Sequence, residues 1–200
     1  EIILKRLGKQ VETVYPNSLK FELEHQPGNV FINEHIQEPD LLIACDTANY
    51  DRLYFPKDFE SVDMINIDHH VSNTINGIFN FVDPDSSSAC EVLFNLISGW
   101  DKSMIDQPVA QALLLGILYD SRVFHTQATT PETLRISAEL IDRGADLFKL
   151  KNELLSKGYA IGGIRQPTVD KAILRVIARL GESSNDLREL CLEISKFVIK

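Results

Sequence analysis

Long apolar runs are what this sequence of 200 residues most plainly lacks. Nothing in it approaches the ~18–20 consecutive apolar residues that a membrane-spanning helix needs. No apolar stretch followed by a small-residue cleavage site opens the chain, so no secretory leader is expected either. Cysteine is scarce. Cys45, Cys90 and Cys191 are odd in number and lack the paired spacing of a zinc site, which argues against a disulfide framework and for a reducing, cytoplasmic setting. Positive charge is also short, with 20 Lys and Arg against 29 Asp and Glu and a net charge of −9. That balance argues against a broad surface that coats nucleic acid, while a short phosphorylated substrate held in a pocket stays compatible with it. There is no internal repeat and no low-complexity segment. What is present is a 44% hydrophobic content, enough for one or two domains with a real core.

Periodicity divides the chain. Ile2, Ile3, Leu4 and Leu7 have helical spacing and Gly8 is a stop, so Glu1–Leu7 reads as the second half of a helix with no capping residue ahead of it. Val11–Tyr15 alternates and predicts a strand, broken by Pro16-Asn17-Ser18. Residues 17–38 are polar and mixed. Leu41–Cys45 and Met64–Ile67 are short continuous apolar runs of the kind that buried parallel strands show, with a loop-like stretch at Tyr50–Phe59 between them. Ile78–Val82 reads as one more strand. Ser88 and Glu91 then match a capping box opening a helix to about Ser98, with Gly99 as its stop. Asp106 or Gln107 opens a second helix with Pro108 in its first turn; it is apolar nearly all round and therefore central. Thr130-Pro131-Glu132-Thr133 opens a third, ended by Gly144, and Asp146–Leu155 forms a fourth. Residues 158–167 read as a linker, and two amphipathic helices are expected beyond it, at about 168–180 and 184–200. The expected fold is α/β, a mostly parallel sheet flanked by helices and followed by a helical C-terminal segment at 168–200.

The chemistry gathers where strands end. Ile65-Asn66-Ile67 runs straight into Asp68-His69-His70, and Leu41–Cys45 into Asp46. Open α/β sheets bind ligands at the carboxyl ends of their strands. Carboxylate with imidazole is the usual ligand set for a divalent transition metal. Taken singly, each residue also has a plainer reading. Asp46 could cap the next turn, as Asp often does. Adjacent histidines on a strand point to opposite faces, so both serve one site only if the chain turns at residue 68. Asp120 follows a very apolar helix, where the helix dipole disfavours an acid, and a nearby cation would compensate.

In combination the order and spacing are more telling. Cys45-Asp46-Thr47-Ala48-Asn49, Ile67-Asp68-His69-His70, Gly116-Ile117-Leu118-Tyr119-Asp120-Ser121 and Thr129-Thr130-Pro131-Glu132-Thr133 resemble the second, third and fourth motifs of the DHH phosphoesterase family and their surroundings. Asp85-Ser86-Ser87-Ser88-Ala89-Cys90-Glu91 resembles the small-residue turn and helix start that the family has between the third and fourth motifs. The resemblance covers residues 1–157, a DHH-type catalytic domain, and is strongest to the branch of nanoRNases and pAp phosphatases related to RecJ. It implies a two-manganese phosphoesterase (Mg²⁺ being the other candidate ion) that acts on short oligonucleotides or 3′-phosphoadenosine phosphate. By position, Asp46 would bridge the two metals, and His69 and Asp120 would bind the second. His70 would face the scissile phosphate as the catalytic group, and Asp68 would orient His69 from behind. A homodimer is a candidate assembly, and no membrane partner is expected.

Some family features are missing. No His-x-x-x-Asp-x-Asp first motif is found; N-terminal truncation is the simple explanation expected for it, and His25 and His35, in unmatched contexts, read as surface residues. Asp120-Ser121-Arg122 replaces the family's common Asp-Thr-Gly, and two readings of Arg122 stay open: contact with a substrate phosphate, or a guanidinium turned outward. For His125 a structural role is expected rather than ligation. Gly162-Gly163-Ile164-Arg165 does not match the family's Gly-Gly-Gly-His segment. Two other functions therefore stand beside the first, a cyclic-dinucleotide phosphodiesterase and a non-catalytic binding protein that keeps the fold. A family II pyrophosphatase is disfavoured, since no basic cluster is found to hold two phosphates.

Overall fold

The computed structural model describes residues 1–14, 30–31, 39–53, 61–156 and 175–179. Its strands are β1 (Gln10–Val14), β2 (Val30–Phe31), β3 (Leu41–Cys45), β4 (Met64–Asp68), β5 (Phe79–Val82) and β6 (Arg175–Arg179). They form one six-stranded sheet in the order β2-β1-β6-β3-β4-β5. The pairs β1–β2, β3–β4 and β4–β5 are parallel, as the continuous apolar runs of β3 and β4 led one to expect; β6 is antiparallel to both β1 and β3. The helix expected at about 168–180 is thus corrected in its middle. Residues 175–179 are a strand because they satisfy backbone groups along the facing edges of both β1 and β3, which a helix would leave open. The linker at 158–167, the helix expected at 184–200, and His25 and His35 lie outside the described residues.

The helices are α1 (Ile2–Arg6), α2 (Ala89–Asp101), α3 (Gln107–Asp120), α4 (Pro131–Asp142) and α5 (Leu147–Ser156). Their caps follow the sequence closely. Asp106 caps α3 through Val109 N–H, with proline in the first turn. Thr130 and Thr133 form a reciprocal capping box on α4. Gly8 and Gly144 adopt φ values of 74° and 95° just beyond α1 and α4, a conformation that costs other residues more. Gly99 does not stop α2, which continues to Asp101. A glycine inside a helix costs only about 1 kcal/mol relative to alanine, and the surrounding packing overrides it.

Helix α2 separates two apolar layers. Val92 and Leu96 pack on the sheet face made by Leu41, Ile43, Cys45, Ile65, Ile67 and Phe81. Phe94 joins the other layer, built round α3, with Leu114, Ile117, Leu140, Leu150 and Leu154 fully buried. Where α2 crosses α3, a side-chain carbon at Gly116 would run into Cys90 Sγ, so this glycine is what lets the helices approach. The packing fixes the site. The parallel register pairs Cys45 with Ile67, which brings Asp46 and Asp68 to one sheet edge, and α3 carries Asp120 on its last turn.

Candidate metal centre

Strand alternation sorts the β4 side chains. Ile65 and Ile67 face α2, while Asn66 and Asp68, both fully buried, point to the opposite face. Asp46 continues the β3–β4 ladder through its N–H to Ile67 O at 3.0 Å, then turns with φ of 56°. Asp is one of the few residues that takes this left-handed conformation readily. The turn swings its carboxylate toward the histidines that follow β4.

His69 Nε2 lies 3.3 Å from Asp46 Oδ1 and 3.5 Å from Asp120 Oδ2. Donors on one divalent cation, each about 2.1 Å from it, stand about 3.0 Å apart at right angles and about 3.4 Å apart at tetrahedral angles. The two measured spacings fit that range. Asp46 Oδ1 and His69 Nε2 are also buried, and beyond this ion pair neither has a hydrogen-bond partner. Each such orphan costs about 1–3 kcal/mol, which a bound cation would offset. The donor set therefore fits a divalent ion. Asp46, Asp68, His69 and His70 have ligand atoms within 4.8 Å of one another, which makes them a metal-competent group by composition as well.

The ring orientations follow from their partners. A carbonyl oxygen only accepts, so the 3.3 Å contact of His69 Nδ1 with Ser86 O places the hydrogen on Nδ1 and turns Nε2 to the two aspartates. His70 Nδ1 lies 2.7 Å from Asp68 Oδ1, which fixes that edge of the ring. Asp68 was expected to orient His69. Its carboxylate does accept from the His69 backbone N–H at 2.8 Å, but the ring it holds is that of His70; the His69 ring is held by Ser86. Burial alone would raise the Asp68 pKa; hydrogen bonds from His70, Asn73 and the His69 N–H outweigh it and hold the carboxyl below its usual range. Burial alone would lower that of His69; Asp46 and the charge of Asp120 outweigh it and raise it. Cys45, beside Asp46, packs its side chain with the α2 layer, where burial pushes its thiol up to about 12.

Several supporting residues escaped the sequence reading. Asn73 donates to Asp68 Oδ2 at 2.5 Å and to Thr47 O at 2.9 Å, tying the two strand-end loops together. Its Oδ1 accepts from Ile75 N–H and from Asn66 Nδ2. The capping box read at Ser88 and Glu91 is half present. Ser88 Oγ accepts from Glu91 N–H, but the Glu91 carboxylate goes to Ser87 and Thr133. Asn73 sits only three residues past His70, which was the available signal; the Glu91 contacts had none. Arg122 is exposed, and so is His125. Arg122, Val123 and Phe124 have φ of 50°, 58° and 66°, a left-handed turn closed on the buried Ser121, which takes Phe124 N–H on Oγ and His125 N–H on its carbonyl.

A mostly parallel sheet with carboxylates and imidazoles converging at its strand ends defines an α/β protein with a candidate metal site. Residues 2–117 match the model of the DHH family N-terminal domain, and the chain belongs to the DHH family. That match ends before Asp120, which is placed at the site by geometry. The chain is 32% identical over 153 residues to the bifunctional oligoribonuclease and PAP phosphatase NrnA of Thermus thermophilus, covering 76% of this chain and 46% of that protein. It is 31% identical over 134 residues to a probable protein of the same name from Streptococcus mutans, covering 67% and 43%. It thus spans less than half the length of these relatives, which fall in the nanoRNase and pAp phosphatase branch. A solved exopolyphosphatase-related protein from Bacteroides fragilis superposes with a TM-score of 0.52 at 22% identity, over 58% of this chain and 36% of that one, a likeness of fold.

Proposed function

We propose that the protein is a metal-dependent phosphoesterase acting on short oligonucleotides or 3′-phosphoadenosine phosphate. The observation that carries this reading is the convergence of the buried Asp46 Oδ1 and of Asp120 Oδ2 on His69 Nε2, at 3.3 and 3.5 Å. Asp46, His69 and Asp120 would hold a divalent cation, Mn²⁺ by ligand type. Divalent ions bound there supply positive charge that neutralises a phosphate and acidifies water. His70, pinned by Asp68, presents Nε2 toward the phosphoryl oxygens, where a donor stabilises developing negative charge. Asn73 keeps Asp68 and the Asp46 loop in fixed relation, so that ligands and donor share one geometry.

The names of the relatives support nucleotide substrates. The test is a panel: the purified protein with Mn²⁺ against di- to pentanucleotides, 3′-phosphoadenosine phosphate, a cyclic dinucleotide and pyrophosphate. Release of mononucleotides or of phosphate from the first two is expected. Turnover confined to the cyclic dinucleotide would reassign the substrate. No turnover of any of them by protein that carries bound Mn²⁺ would leave a non-catalytic binding protein.

A further inference from the structure

Outside the cluster, the most heavily committed buried charge is Glu91, in the first turn of α2 and only 2% exposed. A single oxygen, Oε2, accepts from Ser87 N–H at 3.0 Å, from Ser87 Oγ at 2.6 Å and from Thr133 Oγ1 at 2.9 Å. Three donors on one buried oxygen hold it in place. Ser87 is the next residue after Ser86, whose carbonyl meets His69 Nδ1. Asp83 secures the near end of the same turn by accepting from Ser86 Oγ at 2.7 Å and from Asp85 N–H at 3.1 Å. Thr133 belongs to the capping box that starts α4. Glu91 thus joins the turn behind His69 to the start of the helix that follows the Asp120 loop.

We propose that Glu91 is a positioning residue for the metal centre. By accepting from Ser87 N–H it fixes the Ser86–Ser87 peptide and aims the Ser86 carbonyl at His69 Nδ1, and so holds the ring with Nε2 facing Asp46 and Asp120. This rests on the reading of Asp46, His69 and Asp120 as cation ligands. A tether that merely held α2 in place would leave the imidazole free to rotate. The one proposed here does not, because the Ser86 carbonyl takes the Nδ1 hydrogen.

Two readouts test it on the intact protein. In metal-free protein labelled with ¹⁵N at histidine, exchange of the His69 Nδ1 hydrogen with water reports its hold on the Ser86 carbonyl. Calorimetric titration with MnCl₂ reports the affinity. Wild type is expected to show a slowly exchanging Nδ1 hydrogen. Glu91→Ala is expected to speed that exchange and to weaken Mn²⁺ binding, each about 10-fold or more, the usual effect of losing an outer partner of a ligand. Glu91→Gln, which keeps an amide oxygen in the place of Oε2, should restore both. If Glu91→Ala does not fold, Ser87→Ala removes only the 2.6 Å bond and should shift both readouts in the same direction by a smaller factor. A folded Glu91→Ala or Ser87→Ala protein with wild-type exchange and Mn²⁺ affinity overturns the proposal. Wild-type protein that binds no Mn²⁺ sinks the metal reading instead, and the exchange still decides the role of Glu91.

Discussion

His70 rests its Nδ1 on Asp68 at 2.7 Å, and the carboxylate it leans on has no solvent exposure. Asp68 is therefore a buried acceptor for three donors, the His70 ring, the His69 N–H and the Asn73 amide. Asp68→Ala would leave all three facing a void. The expected loss is about 3 kcal/mol of stability, read as a lower urea midpoint with an unchanged m-value. An Asp68→Ala protein as stable as wild type would show that the network carries no stability.

The two shifted groups act in opposite pH windows in the metal-free protein. Asp68 titrates below its unfolded value of about 3.9, so its contribution is present above that pH and is lost as pH falls through the folded value. His69 titrates above its unfolded value of about 6.5, so its contribution is complete below that pH and fades as pH rises through the folded value. The stability gap between wild type and His69→Gln should therefore narrow on the alkaline side, and that between wild type and Asp68→Asn on the acid side. Denaturant titrations across pH measure both.

Removing a ligand should separate binding from folding. Asp120→Asn takes one charge from a site where two carboxylates face one imidazole. Above the His69 pKa that relieves repulsion, so the metal-free melting temperature is expected to hold or rise. Mn²⁺ affinity is expected to fall by about 10-fold or more, by calorimetry. Unchanged affinity would remove Asp120 from the ligand set.

Arg122 lies first in a run of three left-handed residues. Arg122→Gly should relieve about 1 kcal/mol of backbone strain, partly offset by the greater freedom of glycine in the unfolded chain, and raise the melting temperature. The same variant distinguishes the two readings of the guanidinium. A higher KM for an oligonucleotide in the more stable protein assigns Arg122 to phosphate contact, and an unchanged KM assigns it to solvent.

The α2–α3 crossing has its own test. Gly116→Ala should cost about 1–3 kcal/mol by overpacking against Cys90. Cys90→Ala in the same chain should recover part of that cost, so a double-mutant cycle in urea should return a coupling of about 0.5–3 kcal/mol. Simple additivity would mean that the helices separate freely.

The convergence of Asp46, His69 and Asp120 was legible because each follows a strongly apolar run and their order and spacing match a family pattern. β3 and β4 were legible for the same reason. Other parts were carried by partners that the local sequence does not name. Residues 168–180 have apolar positions at spacings that suit a helix, and the neighbouring edges of β1 and β3 make 175–179 a strand. β2 is two residues long, too short for any period to register. The support of His69 is a backbone carbonyl, which every residue possesses, so Ser86 carried no mark. Glu91 looked like a local cap, and its partner Thr133 lies 42 residues away.

The alternation along β4 ties the geometry of the candidate site to folding fidelity. Ile65 and Ile67 belong to one face, Asn66 and Asp68 to the other. Were β4 to dock one residue out of step with β3, an amide and a carboxylate would be driven into the hydrocarbon layer beneath α2, and two isoleucines would take their place in the polar network. Such a misregistered chain could neither pack nor assemble the carboxylate and imidazole cluster. The apolar side of this strand thus proofreads the polar side: a molecule whose core has closed correctly has already brought Asp68, His69 and Asp46 into alignment.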